Sequence, residues 1–298
     1  MSDSTASLRR KIESAQDLQS VVRTMKSLAA SSIGQYEDSV RALGDYYRTV
    51  ELGLAASFRE SRGQPLDVPV KGASNKGITG AIVFGSDQGL VGQFNEAVVD
   101  YAIKSLAGLS GRVRIWAIGD RLCERLENAG LPLAGRFALP TSVQGIAVVV
   151  GQIQIDTDKD QELGSYERLL VFHNRPESRS LYEPAVEQLL PLDANWQKGL
   201  SAINWPTKIL PEVLCDGNAT LRSLIREYLF ITVFRACAES LASENISRLA
   251  AMERADKNIQ ELLVNLQSTF HRVRQERIDE ELFDVISGFE AISGLRLR

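Results

Sequence analysis

Cysteine and histidine are scarce in this chain. Its 298 residues include three cysteines, Cys123, Cys215 and Cys237, and two histidines, His173 and His271. The cysteines are far apart and form no CxxC pair, which argues against a disulfide framework or a zinc site and fits a reducing compartment. Two isolated histidines make a poor basis for a metal centre. No Ser/His/Asp or Cys/His set is placed for nucleophilic catalysis. Long apolar runs are missing as well. The longest lies around Ile146–Val150, far short of the ~20 residues that span a bilayer. The start, MSDSTASLRRKIESAQ, has no apolar segment after its charges and does not read as a secretory signal. The expectation is a protein that is cytoplasmic, or bound to a membrane only through a partner. The net charge of −4 gives no reason to expect nucleic acid.

Proline is absent from the first 60 residues and from Asn218–Ser287, and the latter stretch also lacks glycine. What fills these segments is heptad-patterned. Leu8, Ile12, Ala15, Gln19, Val22, Lys26, Ala29, Ile33, Tyr36, Val40, Leu43, Tyr47, Val50 and Leu54 follow a 4,3 spacing without a break, and all but Gln19 and Lys26 are apolar or aromatic. That is the a/d seam of a left-handed coiled coil, with polar exceptions of the kind that fix register. Gly34, Gly44 and Gly53 each cost up to ~1 kcal/mol against alanine, so a partner helix must hold this one. Ala242, Asn245, Leu249, Met252, Asp256, Ile259, Leu263, Leu266, Phe270 and Val273 repeat the spacing, which then skips by five to Ile278. Two such helices at opposite ends of one chain pair most simply with each other, antiparallel. The expected spans are 1–62 and 215–292. Leu282, Phe283, Val285, Ile286 and Phe289 cover more than one face of the second helix, and a helix apolar around most of its circumference wants enclosure.

The middle, 75–205, has a different rhythm. Thr79–Ser86, Val113–Gly119 and Leu169–His173 read as strands. Asn95–Leu106 and Asp120–Asn128 read as helices, the second capped by its aspartate. Alternation of this kind implies a Rossmann-like parallel α/β domain. Thr141–Gln154 is ambiguous, because its valines favour a strand while Thr141 after Pro140 favours a helix start. Tyr182–Leu192 could add an antiparallel edge strand. Asp193–Gly217 reads as the return into the last helix.

The sharpest local signal is Gly85-Ser-Asp-Gln-Gly-Leu-Val-Gly-Gln-Phe-Asn95, directly after a strand. A glycine-rich strand-to-helix turn can cradle phosphate. This one is neither GxGxxG nor GxxxxGK[ST] and lacks the lysine and hydroxyl of a P-loop, so the competing reading is a tight structural loop built on Asp87, Gly89, Leu90, Gly92 and Asn95. The carboxylates of Asp279-Glu-Glu281 and the basic runs Arg9-Arg-Lys11 and Arg272, Arg274, Arg277 fit solvated helix faces, with acidic partner loops as the alternative for the basic ones.

Three segments together resemble the gamma subunit of F-type rotary ATP synthases. One is Leu8-Arg-Arg-Lys-Ile12 followed by Val21-Val-Arg-Thr-Met-Lys-Ser-Leu-Ala-Ala-Ser31. Another is Ser86-Asp-Gln-Gly-Leu-Val-Gly92 with Asn95. The third is Glu239-Ser-Leu-Ala-Ser-Glu-Asn-Ile-Ser-Arg-Leu-Ala-Ala-Met252, then Arg274-Gln275, Ile278, Glu281-Leu282 and Ile286-Ser-Gly288. Order and spacing hold from near residue 8 to near 292. The family pattern also favours a helix over Thr141–Gln154. The resemblance implies a rotor shaft that turns inside a ring of alpha and beta subunits, with ATP handled on the ring and neither cofactor nor metal on the shaft. It implies an α/β foot toward the epsilon subunit and the membrane rotor ring, at the cytoplasmic face of a bacterial inner membrane. It places Met25 and Lys26 opposite the beta-subunit lever region, Arg274 and Gln275 on a beta-subunit loop, Arg248 in a coupling motif at the beta-subunit interface, and the apolar tip in a sleeve.

Gln88, Val91, Asp279 and Ser32 stand where the family usually has arginine, cysteine, threonine and lysine, which suggests a divergent branch such as an alternative ATPase. Two other readings compete with the rotor. A nucleotide-binding α/β protein with coiled-coil oligomerisation arms predicts ligand at Gly85–Asn95. A plain coiled-coil scaffold has no need of a bare apolar tip.

Overall fold

A computed structural model describes residues 4–60, 77–109, 111–163, 166–177, 181–192, 194–209, 211 and 217–295. Two long helices carry the heptad segments: α1, Thr5–Glu60, and α6, Gly217–Leu295. Between them lie β1 (Ile78–Phe84), α2 (Phe94–Ala107), β2 (Arg112–Ile118), α3 (Asp120–Asn128), β3 (Leu133–Phe137), α4 (Val143–Leu163), β4 (Tyr166–Pro176), β5 (Tyr182–Leu190) and α5 (Ala194–Ser201). The chain divides into two compact units, Met1–Leu28 with Leu249–Arg298, and Ala29–Arg248. The expected segment limits at 62, 75 and 215 fall outside the described residues.

In the first unit the two helices run antiparallel. Ala15 and Val22 are buried against Met252, Ile259 and Leu263, flanked by Ile12, Met25 and Leu266. Two of the three polar seam residues of this unit meet each other: Gln19 Nε2 donates to Asp256 Oδ1 at 2.9 Å. A polar residue at an apolar seam is tolerable only with a partner, since an unmade buried hydrogen bond is costly.

In the second unit the sheet order is β3-β2-β1-β4-β5, with β1 to β4 parallel and β5 antiparallel to β4 at one edge. Strand period two sends alternate side chains to opposite faces. Ala81, Val83, Ile115, Ala117 and Phe172 pack under α2 and α3. Ile82, Phe84, Trp116, Ile118 and Val171 pack against α4, Tyr36 of α1 and Val233, Cys237 and Leu241 of α6. A third cluster joins Val50 and Leu54 of α1 to Leu221, Ile225 and Ile231 of α6, closed by Leu192 and Leu200.

The structure resolves the ambiguous segment as helix. Ile146, Val150, Ile153 and Thr157 are its buried residues, a 4,3,4 spacing that outweighs the β preference of its valines. It also adds β3 and α5, which the pattern reading did not contain. β3 is five residues with Gly135 and Arg136 inside it, half-buried and exposed by turns with no buried position, so no apolar run marks it. One local expectation is corrected. Asp120 is the first residue of α3 and not its cap; the preceding Gly119 sits at φ 112. A β-carbon at Gly119 would come within 2.8 Å of the Ser86 backbone, so no residue with a capping side chain fits there, and the cap comes from elsewhere.

Candidate functional site: the strand-to-helix loop and the shaft surfaces

The loop after β1 is held by its own side chains. Asn95, at the start of α2, accepts from Ser86 N at 3.0 Å and donates to Ser86 Oγ at 2.8 Å. Asp87 Oδ1 accepts from Asp120 N at 3.0 Å, so this carboxylate caps α3 from outside the helix, and Oδ2 accepts from Leu139 N at 3.1 Å. An anion at a helix N-terminus is favoured by the backbone N–H groups and dipole there. Gly85 leaves no room for a β-carbon, which would lie 2.5 Å from Leu122. Leu90 and Gly92 both adopt the left-handed region, at φ 63 and φ 61. Leu90 is a non-glycine residue there, and its side chain is exposed. Gly89 has open space around it.

The strand order reverses between β1 and β4. In open α/β sheets the crevice beyond the carboxyl ends of two such strands is where ligands settle. Here it is filled. Asn174 at the end of β4 donates to Phe94 O at 2.9 Å, Ser243 of α6 donates to Asn174 O at 3.0 Å, and Ser247 of α6 donates to Val91 O at 2.5 Å. Phe94 and Tyr182 close it edge to face at 5.3 Å. Ser86, Asn174 and Ser243 are fully buried. The side chains of Ser86, Asp87 and Asn95 and the carbonyl of Val91 are spent on α2, α3 and α6.

Arg248 lies one turn beyond Glu244 on α6 and pairs with it at 2.5 Å, with side chains 15% and 5% exposed. Burial pushes the Glu244 carboxyl above its ordinary value, the Asp87 charge adds to this, and Arg248 opposes it. The guanidinium expected to face a partner is thus largely enclosed within the chain. Lys26 behaves similarly in the other unit. Its Nζ lies 3.3 Å from Glu253, with the lysine side chain 39% exposed, and Met25 beside it is half-buried in the seam cluster.

Arg274 and Gln275 are exposed. Arg274 lines a groove of about 490 Å³ with Thr5, Arg9, Phe270, Arg277 and Ile278. Gln275 Nε2 donates to Asp279 Oδ1 at 2.9 Å, so the carboxylate that departs from the resembled pattern holds the amide of its neighbour. Beyond them the side chains of Leu282, Phe283, Val285, Ile286 and Phe289 stand open, Phe289 at 72%. Full burial of one such side chain stabilises by about 1.5–3 kcal/mol, so five together are a strong drive toward a surrounding surface.

Two features were missing from the pattern reading. The outside cap by Asp87 has no sequence signal, because the residues it joins are 33 and 52 positions apart. The pairing of Gln19 with Asp256 was legible in principle, since both were polar intruders in apolar seams.

Among the described residues no group of three or more His, Cys, Asp or Glu is placed to hold a metal. No described helix is long and apolar enough to cross a membrane.

A parallel-rich sheet with helices on both faces, inserted in sequence between two long heptad helices, defines a mixed α/β protein whose switch-point crevice is plugged by its own last helix. The sequence model of the ATP synthase family matches residues 4–292; the chain belongs to that family. It is 26% identical over 295 residues to the ATP synthase gamma chain of Cupriavidus pinatubonensis, covering 97% of this chain and 99% of the relative. It is 26% identical over 294 residues to that of Burkholderia lata, covering 96% and 98%. Among solved structures it shares the fold of a chain in the rotor of the Euglena gracilis mitochondrial ATP synthase, with TM-score 0.58, 15% identity and coverage of 92% and 98%. It also shares the fold of a central-stalk chain of the Tetrahymena thermophila enzyme, with TM-score 0.55, 18% identity and coverage of 79% and 99%.

Proposed function

We propose that this chain is the gamma subunit of an F-type ATP synthase, the central shaft that couples ion-driven rotation to ATP synthesis or hydrolysis on a surrounding ring of alpha and beta subunits. The observation that carries this reading is the antiparallel helix pair that ends in an exposed apolar tip, Leu282 to Phe289. A tip of this kind gains from a sleeve that the chain does not itself supply. An asymmetric shaft contacts chemically identical ring subunits differently at each angle. Each contact biases open against closed conformers by a differential binding free energy.

The division of labour follows. Residues 1–62 and 215–292 form the shaft, and 75–205 form the α/β foot, directed to the epsilon subunit and the membrane rotor ring. Arg274 and Gln275 meet a beta-subunit loop. Met25 and Lys26 face the beta-subunit lever with the Lys26–Glu253 pair as the contact, and Arg248 acts from behind through Glu244. The chain carries no catalytic site of its own, a reading supported by the filled switch-point crevice. It works at the cytoplasmic face of a bacterial inner membrane, held there by the complex.

Mixing the chain with alpha and beta subunits from the same source, and following complex size with ATPase rate, tests this. One copy per complex is expected, with activity reduced by the Arg274→Ala, Gln275→Ala double variant. Removal of everything after Glu281 should abolish assembly while the remaining chain stays folded. Assembly indifferent to that deletion would refute the shaft reading.

A further inference from the structure

Most of the seat of α6 on the sheet is apolar. Val233, Cys237 and Leu241 lie against Phe84, Val171 and Leu189. Such contact is non-directional. It resists separation but sets the rotation of a helix about its own axis only loosely.

Beside it lies a different kind of contact. Glu239 of α6 meets His173 of β4 at 2.9 Å and Arg175 of β4 at 3.2 Å. Arg235, one turn earlier on α6, donates to both carboxylate oxygens of Glu187 on β5, at 2.8 and 2.9 Å. Arg175 donates to the same Glu187 at 2.8 Å, which joins the two strands. The Arg235 guanidinium also lies over the Tyr47 ring of α1, 5.2 Å from its centroid.

His173 is fully buried, and the side chains of Glu187 and Glu239 are only 15% and 14% exposed. Burial works to raise the Glu239 carboxyl, but His173, Arg175 and Arg235 outweigh it and hold it below its ordinary value. Both helix residues thus have a strand partner, and turning α6 about its axis breaks both sets of bonds at once. Charge-assisted hydrogen bonds are directional. A buried ion network is a weak source of net stability, so directional restraint is the better account of why it is there.

We propose that the clasp formed by His173, Arg175, Glu187, Arg235 and Glu239 passes turning force between the sheet and α6 by fixing the rotational setting of the helix, which rests on the rotor reading above. With the clasp broken, α6 stays seated on its apolar face but yields under torque. ATP turnover without an opposing gradient then changes little, while work against a gradient falls.

The test uses the complete complex in sealed vesicles, comparing wild type with Arg235→Gln and Arg235→Lys. ATP hydrolysis in the absence of a gradient and the largest ion gradient sustained by ATP are both recorded. The expected result for Arg235→Gln is hydrolysis near wild type and a sustained gradient lowered by about threefold or more, the range in which coupling networks act. Arg235→Lys, which keeps the charge, recovers part of it. A sustained gradient equal to wild type in the assembled Arg235→Gln complex overturns the proposal. If that variant does not assemble, Arg175→Met, at a site 41% exposed, decides by the same two readings. Failure of the rotor reading looks different: omitting the wild-type chain would leave both activities untouched.

Discussion

The paired seam residues Gln19 and Asp256 offer the most direct check on the helix pair. Asp256 accepts from Gln19 at 2.9 Å and from Arg23 at 3.3 Å, and its side chain is 23% exposed. The Arg23 side chain is 60% exposed, so that pair is screened and contributes well under 1 kcal/mol. The Gln19 bond is part-buried and charge-assisted, a class that contributes about 1.5–3 kcal/mol when fully enclosed. Discounted for partial exposure, Asp256→Ala should cost about 1–2 kcal/mol and Gln19→Ala a similar amount. Each single change strands the other group, so the double variant should cost clearly less than the sum, leaving a coupling of about 1 kcal/mol. Replacing both by leucine should stabilise the pair relative to the alanine double by about 1–3 kcal/mol through added burial. Urea unfolding followed by helical circular dichroism, with amide exchange at Val22 and Met252 as a local reading, measures all four. If the alanine costs add to within about 0.3 kcal/mol, the two side chains do not act on each other and their contact does not hold the helix pair in register.

Asp87→Ala removes the acceptor for Asp120 N and Leu139 N and should destabilise the α/β unit by about 1.5–3 kcal/mol. Asp87→Asn, which keeps one acceptor oxygen, should cost less; equal costs in thermal unfolding would deny the capping role. Gly44→Ala places a methyl in open space on α1 and should add about 0.5–1 kcal/mol, read as a higher urea midpoint. The Glu239 carboxyl sits below its ordinary value of 4.5 in the fold, so it binds protons less readily folded than unfolded. Its stabilising contribution is complete above about pH 4.5 and fades as pH falls through the lower folded value. Glu239→Gln should therefore be less stable than wild type at pH 7, with the gap closing on acidification. A gap that stays constant down to pH 3 would show that the charge of Glu239 is not what holds it.

The share of this architecture legible in one dimension follows from the range of the forces involved. The seam Leu8 to Leu54 was readable because helical period is local, and every position in it is buried or half-buried in the folded chain. β1, β2, β4 and the antiparallel edge β5 were readable from short β-rich runs, although β4 extends over Tyr166–Pro176, well beyond its apolar centre. β3 and α5 were not, since a five-residue edge strand and an eight-residue helix contain too few periods to stand out. The loop Gly85–Asn95 announced itself as special by its glycines, but not which of two roles it plays.

Sequence by itself thus determined the two long helices with their apolar faces, α2 and α3, most of the strands and the bare tip at Leu282–Phe289. Each of these is written in the spacing of neighbouring residues. Tertiary structure alone decided that Asp87 caps a helix 33 residues away, that Ser243 and Ser247 plug the switch-point crevice, that Lys26 holds a carboxylate of its own chain, and that His173 and Glu239 meet. These depend on which distant groups the packed sheet and helices bring within 3 Å or so, and a hydrogen bond's short reach leaves no trace of that partner in the local pattern.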